Sequence, residues 1–373
     1  MRVLVVNAGS SSLKLAVMDG DHQVSSTTVE RWEGEDDLGP INSFVQGVEN
    51  VEATGHRIVH GGPRLTESVH IDDDVLAYLD SIEDLAPLHN PRAVAGVRAV
   101  RRLLPATPGV ACFDTTFHTH LPAAARTYAL PREWNERWSL RRYGFHGLSH
   151  AYAVRRAAEL IDRDLRDLRV VSCHLGAGAS LAAVRQGRCV DTTMGFTPVE
   201  GLVMATRSGS VDPGLLLWLL ENGGQSPAGL ADVLEHQSGL KGLSGSTGDL
   251  RDVQAARAAG DVAAGLAFDV YIHRLRQQIG AMTASAGGLD LLVLTGGVGE
   301  HDPEVRSLAA RGAGHLGTSI DEPLNASTAA DRDISTPDAR VRTVVVTASE
   351  ATEVARETSR VLGEPERCGQ GDR

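Results

Sequence analysis

Two strand–turn–strand units set 167 residues apart constrain this chain more than any other feature. In the first, Val3-Leu-Val-Val6 reads as a buried strand, Asn7 to Ser12 as a glycine/serine turn, and Leu13 to Met18 as a second strand. In the second, Arg169 to Cys173, His174-Leu-Gly-Ala-Gly178 and Ser180 to Val184 repeat that order. The single offset superimposes Gly9 on Gly176, Val17 on Val184 and Gly20 on Gly187. A duplicated β-hairpin unit accounts for all three matches, and a chance match between two generic hairpins is the alternative. At 373 residues the chain also exceeds the size at which one core stops growing, so two domains are expected.

Helical patterns fill the space between and after the hairpins. Pro91 to Leu104, Ser149 to Ile161 and Ala263 to Ala281 carry apolar residues at helical spacing. Leu289 to Thr295 is a buried strand, followed by a glycine turn at Gly296–Glu300 and a helix from Pro303. Val344 to Val346 is the last strand, Ala351 to Leu362 the last helix, and the polar tail from Gly363 is expected to fray. Alternating strands and helices make the class α/β.

Three glycine-rich turns follow strands: Asn7 to Ser12, His174 to Ser180 and Gly296 to Glu300. Glycines there let backbone N–H groups approach phosphate oxygens. Each turn alone is equally an ordinary strand end. No P-loop is present, because neither Lys14 nor Lys241, the two lysines, follows a glycine. Gly176-x-Gly178 lacks the third glycine of a dinucleotide fingerprint. G-x-S-x-G and H-E-x-x-H are both missing. His146 and His150 are four apart, but no carboxylate accompanies them at short range, which disfavours zinc.

Other classes are excluded by charge and apolar patterning. The net charge of −12 disfavours a general polyanion binder, so no nucleic-acid partner is expected. The strongest apolar run, Leu215 to Leu220, is far too short for a membrane span, and no signal-peptide pattern opens the chain. Cys112, Cys173, Cys189 and Cys368 lack metal or disulfide spacing and read as reduced thiols of a cytoplasmic protein.

Longer motifs are more specific. Val3 to Leu15, Gly55-His-Arg-Ile-Val-His-Gly-Gly62, Pro87-Leu-His-Asn-Pro91, Phe113-Asp-Thr-Thr-Phe-His118 and Arg142-Tyr-Gly-Phe-His-Gly147 occur in that order. Asp191 to Gly201, Thr206-Arg-Ser-Gly209, Gly245 to Arg251 and Thr295-Gly-Gly-Val-Gly-Glu300 continue the series. Together they resemble the acetate kinase (acetokinase) family from residue 1 to about 360. The chain is shorter than is usual there, mainly between Asp21 and Val51. The implied fold is that of the acetate and sugar kinase/Hsc70/actin superfamily: duplicated ribonuclease-H-like (actin-type) α/β domains with an interdomain cleft. The expected division is 1–115 plus 352–373 (acetate side, first phosphate loop) and 116–351 (nucleotide binding, dimerisation).

The resemblance implies reversible transfer of the ATP γ-phosphoryl group to acetate, giving acetyl phosphate and ADP, direct and in line. A carboxylate acceptor is already ionised, so no general base is needed. The site must instead neutralise charge spreading over the transferring group, a task that suits arginine forks. By resemblance, Arg57, Asp114, His146 and Arg207 are the catalytic residues. His146 would hydrogen-bond the phosphoryl group, and Asp114 would orient Arg57 or acetate or help organise magnesium. Arg57, Val59, Leu88, His89, Phe145 and Pro198 would bind the acid, four of them forming a small apolar methyl pocket. Ser10, Ser12, Lys14, His174, Gly176, Gly178, Asp249, Leu250, Arg251, Gly296, Gly297, Val298 and Gly299 would bind nucleotide. Asn7 and Glu350 would lie near Mg2+, with Mn2+ as a substitute. A homodimer is also implied. His56, His60 and His150 read instead as hydrogen-bonded core histidines.

Three positions depart from the family pattern: Ala177 replaces an asparagine, Ser210 an aspartate and His301 an asparagine. Loss of the amide at 177 is expected to weaken Mg·ATP use. A short-chain carboxylate kinase preferring propionate, and a catalytically weak nucleotide-binding regulatory homologue, are the rival readings.

Overall fold

In the computed structural model, residues 1–9 and 12–363 are described. The chain divides into two compact units: Met1–Thr119 with Phe145–Tyr152 and Ser349–Arg373, and His120–Gly144 with Ala153–Ala348. Phe145–Tyr152 thus belong to the first unit, although the sequence places them within 116–351. Ser10, Cys368 and the polar tail beyond Gly363 lie outside the described residues.

The first unit holds strands β1 (Arg2–Ala8), β2 (Ser12–Asp19), β3 (His22–Glu30), β4 (Ala53–Ile58), β5 (Val69–His70) and β6 (Gly109–Phe113). Their order in the sheet is β3-β2-β1-β4-β6-β5. The second holds β7 (Arg169–Leu175), β8 (Ala179–Arg185), β9 (Arg188–Thr192), β10 (Leu291–Thr295), β11 (Arg332–Asp333) and β12 (Arg342–Val345). Read from β9, its order is β9-β8-β7-β10-β12-β11, the same plan. In each sheet an antiparallel three-strand meander is followed by two parallel strands and a short antiparallel edge strand. The duplication inferred from three residue matches therefore extends to all six strands. The two hairpin turns differ by one residue, Gly9 N reaching Ser12 O in the first and Gly176 N reaching Gly178 O in the second.

Side chains alternate across the first sheet, and both faces are covered. Val3 and Val5 of β1 pack with Val110 and Cys112 of β6 against Val354 and Ala355 of the last helix, Glu350–Val361. Leu4 and Val6 face the other way, toward Ala99 and Val100 of the helix Asn90–Leu103. The last helix lies close because β4 carries glycine at 55, where a Cβ would sit 2.4 Å from Thr358 Oγ1. In the second unit the helix Val262–Ala286 buries Ala264, Phe268, Tyr271, Ile272, Leu275, Ile279 and Met282 at helical spacing. It runs through Gly280 and ends at Gly287, whose φ of 77° caps it.

Two sequence expectations need correction. Gly296–Glu300 is not a turn but part of a short helix, Gly296–His301. Gly296 enters it at φ 78°, and a Cβ there would lie 2.7 Å from Leu175 O. The helix Val262–Ala286 also extends five residues beyond the expected end at Ala281, since Gly280 does not break it.

Candidate functional site

In the first unit, β1, β4 and β6 are mutually parallel and deliver Asn7, Arg57 and Asp114 to the same, C-terminal, end of the sheet. The start of the last helix adds Glu350. Arg57 is the hub. Its Nε and Nη2 meet Asp114 Oδ1 and Oδ2 at 3.2 and 2.6 Å, and its Nη1 donates to Asn7 Oδ1 at 3.1 Å. Glu350 Oε2 lies 3.3 Å from Arg57 Nε and accepts from Asn7 Nδ2 at 3.3 Å. Burial alone would lower the Arg57 pKa, but the Asp114 and Glu350 carboxylates outweigh it and raise the value. Asp114, 1% exposed, is a buried charge whose partner is present. Both of its oxygens face Arg57, as a residue that orients the guanidinium must. One guanidinium N–H on each of Nη1 and Nη2 remains for an anion.

His146 sits beside this cluster through the backbone. Gly147 N donates to the Asp114 carbonyl at 2.9 Å, and a Cβ at 147 would lie 2.1 Å from that oxygen. His146 itself holds φ at 56°, a left-handed conformation unusual for a residue with a side chain. Phe145 is buried edge-on against His60, with ring centroids 5.5 Å apart. Val59 and His89 are partly buried, while Leu88 is 46% exposed. Pro198 belongs to the second unit. Lys14 is exposed and pairs with Asn7 in the β1–β2 register; Ser12 closes the turn through its carbonyl.

Four other histidines of the unit, His56, His60, His118 and His150, are buried. His60 accepts from Gly62 N at 2.8 Å, and burial lowers its pKa to about 4. Burial likewise lowers His56 to about 3 and His118 to about 4. His150 is fully buried, and among the described residues no three His, Cys, Asp or Glu side chains form a metal cluster.

The second unit contains a cavity of about 880 Å³. Gly176, Asp249, Leu250, Arg251, Gly297 and Val298, all expected at the nucleotide, line it. His174, Gly178, Gly296 and Gly299 do not. Gly299 is packed under Leu294, and His174 Nε2 lies 3.8 Å from where a Gly176 Cβ would be. Asp249 caps the helix Leu250–Ala258, and its hydrogen bonds from Arg251 lower its pKa to about 2. Sequence reading missed Thr206, Leu240, Gln254, Tyr271 and Asp302 among the cavity walls. Tyr271 was legible only as one apolar position of a helix.

Arg207 differs from Arg57. Its guanidinium contacts the Met204 sulfur at 3.9 Å and forms no ion pair among the described residues. Burial lowers its pKa, with Glu235 pulling the other way. A desolvated, unneutralised guanidinium is a receptor for an anion. The motifs around Arg142 and Glu200 are explained by one clamp: Arg142 Nη2 meets Glu200 Oε1 at 2.5 Å, Tyr128 donates to Glu200 Oε2 at 2.7 Å, and Arg142 Nη1 holds the Thr193 and Met194 carbonyls.

Known proteins share this sequence and fold. The model of the acetokinase family matches residues 39–356. An acetate kinase of Dictyoglomus thermophilum is 42% identical over 97% of this chain and 100% of its own, and one of Thermotoga maritima 41% over 97% and 99%. Among solved structures, Porphyromonas gingivalis acetate kinase superimposes with a TM-score of 0.91 at 35% identity, covering 97% of this chain and 100% of its own. A propionate kinase from Francisella tularensis gives 0.89 at 32%, covering 96% and 99%. With duplicated sheets, an arginine-centred cluster at the strand ends of one unit and a large cavity in the other, the chain is a member of the acetokinase family.

Proposed function

We propose that this protein transfers the γ-phosphoryl group of ATP reversibly to acetate, giving acetyl phosphate and ADP. The observation that carries the proposal is the Asn7–Arg57–Asp114–Glu350 cluster. Asp114 holds the Arg57 fork in one orientation while two of its N–H groups stay available for acetate or phosphoryl oxygens. Arg207 and His146 are assigned the charge and hydrogen-bond demands of the transferring group. The acceptor carboxylate attacks as it stands, so none of these residues needs to remove a proton.

The donor reading rests on the cavity of the second unit. Its 880 Å³ suits a nucleoside triphosphate and is far more than pyrophosphate requires. The oxygen donors Asn7 and Glu350 fit a hard divalent cation, and Glu350 Oε1 takes none of the bonds made by its Oε2. Magnesium, or manganese, would use these donors with water and phosphate oxygens, and when bound it neutralises charge on the β- and γ-phosphates.

No helix among the described residues is long and apolar enough to cross a membrane, which accords with a cytoplasmic enzyme. A homodimer is supported by the helix Pro213–Asn222, which buries none of its residues and exposes Leu215, Leu217 and Trp218 by 48%, 61% and 57%. Similarity to a propionate kinase keeps the next acid in view. An apolar methyl pocket separates acids differing by one methylene by only ~1–3 kcal/mol, so propionate is expected to be a weaker substrate. Hydroxylamine trapping of acyl phosphate across C2 to C4 acids, with ATP, GTP or pyrophosphate, tests the proposal. Acetate with ATP should give the fastest reaction, and no product with any pair would leave the regulatory reading.

A further inference from the structure

Arg57 and Arg207 are held in different ways. Arg57 is fixed through its side chain, by Asp114, Asn7 and Glu350. The Arg207 guanidinium has no comparable partner: beyond the Met204 sulfur at 3.9 Å it makes no hydrogen bond or ion pair among the described residues. Glu235 draws on its charge without pairing with it. A long side chain in that state is aimed by its packing and by the backbone that carries it.

That backbone is tied to an irregular helix end. The helix Pro227–Asp232 widens into a π-helical turn, Val233–Gln237, and stops. The last carbonyls of a helix have no partner within it. Here three in succession find one outside. Val233 O accepts from Ser238 Oγ at 2.7 Å, Leu234 O from Ser208 N at 3.0 Å and Glu235 O from Thr206 Oγ1 at 2.7 Å. Ser238 N donates in return to the Thr206 carbonyl at 2.9 Å. The residues on both sides of Arg207 are therefore fastened to one helix end. Gly239 follows at φ 62°, where a Cβ would lie 2.2 and 2.6 Å from the Met204 and Arg207 carbonyl oxygens. A carboxylate partner would occupy the guanidinium N–H groups. This helix end uses only backbone groups and a hydroxyl, and leaves the fork to an anion.

We propose that the π-helical turn Val233–Gln237 is the positioning element for Arg207, and that Thr206, through its hydroxyl on the Glu235 carbonyl, is the positioning residue that links the two. The inference rests on the reading of Arg207 as a residue that neutralises the transferring group, and it names what holds that residue in place.

Thr206→Val in the full chain removes the hydroxyl and keeps the shape, and Thr206→Ser keeps the hydroxyl. Because Thr206 also lines the 880 Å³ cavity, KM and kcat must be read separately. Thr206→Val should lower kcat about 10- to 100-fold per folded molecule with the KM for ATP within about twofold, and Thr206→Ser should stay within about threefold of wild type in kcat. The deciding comparison is a double-mutant cycle. On an Arg207→Ala background, Thr206→Val should change kcat by less than about twofold, because a residue that acts through Arg207 has nothing left to position. Equal losses on the two backgrounds would overturn the inference, as would a fall in kcat no larger than the fall in folded protein. A raised KM for ATP at unchanged kcat would also overturn it, since Thr206 would then be a nucleotide contact. Wild-type turnover in Arg207→Ala alone would instead remove Arg207 from the site, and this inference with it.

Discussion

Replacing Asp114 by asparagine separates the charge of the central cluster from its shape. The carboxylate is 1% exposed, and both oxygens face Arg57, at 3.2 and 2.6 Å. Asparagine preserves the volume and one acceptor, but it turns the second oxygen into an NH2 donor pointed at a guanidinium donor. One charge-assisted hydrogen bond, worth about 1.5–3 kcal/mol, is lost. Complete removal of one partner of a buried pair costs about 3–5 kcal/mol, so the asparagine variant should fall below that range, at about 2–3 kcal/mol. At about 2–4 °C per kcal/mol for a chain or unit of 150–250 residues, the melting temperature should drop by roughly 5–10 °C. The fork also loses the partner that fixes its orientation, so turnover should fall on the order of 100-fold. Thermal melts and acyl phosphate formation give the two readouts, and a double-mutant cycle with Arg57→Met should return a coupling of at least about 1.5 kcal/mol. A variant that melts within about 1 °C of wild type and keeps turnover within about twofold would refute the claim that Asp114 holds Arg57.

Other perturbations bear on separate parts of the structure. Arg207→Ala should lower kcat about 100- to 1000-fold with little change in stability, measured by steady-state kinetics; unchanged activity removes Arg207 from the site. Ala177→Asn places an amide at an exposed position whose backbone carbonyl already holds Ala205 N, and should lower the KM for Mg·ATP about 3- to 10-fold; unchanged or poorer turnover refutes the idea that the missing amide weakens donor use. Acidification should destabilise the first unit. His56, His60 and His118 have folded-state pKa values of about 3, 4 and 4 against 6.5 for the ordinary group, so the unfolded chain takes up protons first as pH falls. Their contribution is intact above pH 6.5 and is lost progressively below it, by about 2 kcal/mol each at pH 5, and urea titrations at pH 7 and pH 5 should show the decrease. Equal stability at the two pH values would contradict their burial in neutral form.

Much of the fold is visible in the sequence because it is written as period and punctuation. The hairpin pair at residues 3–18 and 170–184 was legible because both copies keep glycine at the turn and apolar residues on the strands. β5 and β11 were not, because two-residue strands carry no period. Gly296-Gly-Val-Gly has the composition of a turn, and only the close approach of Gly296 to Leu175 O makes it the start of a helix. Among the site residues, Arg57 and Asp114 were named from motifs, yet their bidentate pairing depends on the parallel register of β4 and β6, with Arg57 opposite Cys112. Leu88 was named from a motif, and its exposed place in the loop before the helix Asn90–Leu103 is not something residue spacing reports. Tyr271 buries a hydroxyl that has no hydrogen-bond partner, and this too was invisible, because helical spacing reports burial while hydrogen-bond satisfaction is settled only by what surrounds the helix in space.

The most direct test of the central claim is the stoichiometry of phosphoryl transfer. Purified protein with acetate, ATP and magnesium should form acetyl phosphate and ADP in equal amounts, and should regenerate ATP when supplied with acetyl phosphate and ADP. ADP formed without acetyl phosphate, or no turnover in either direction, would contradict it.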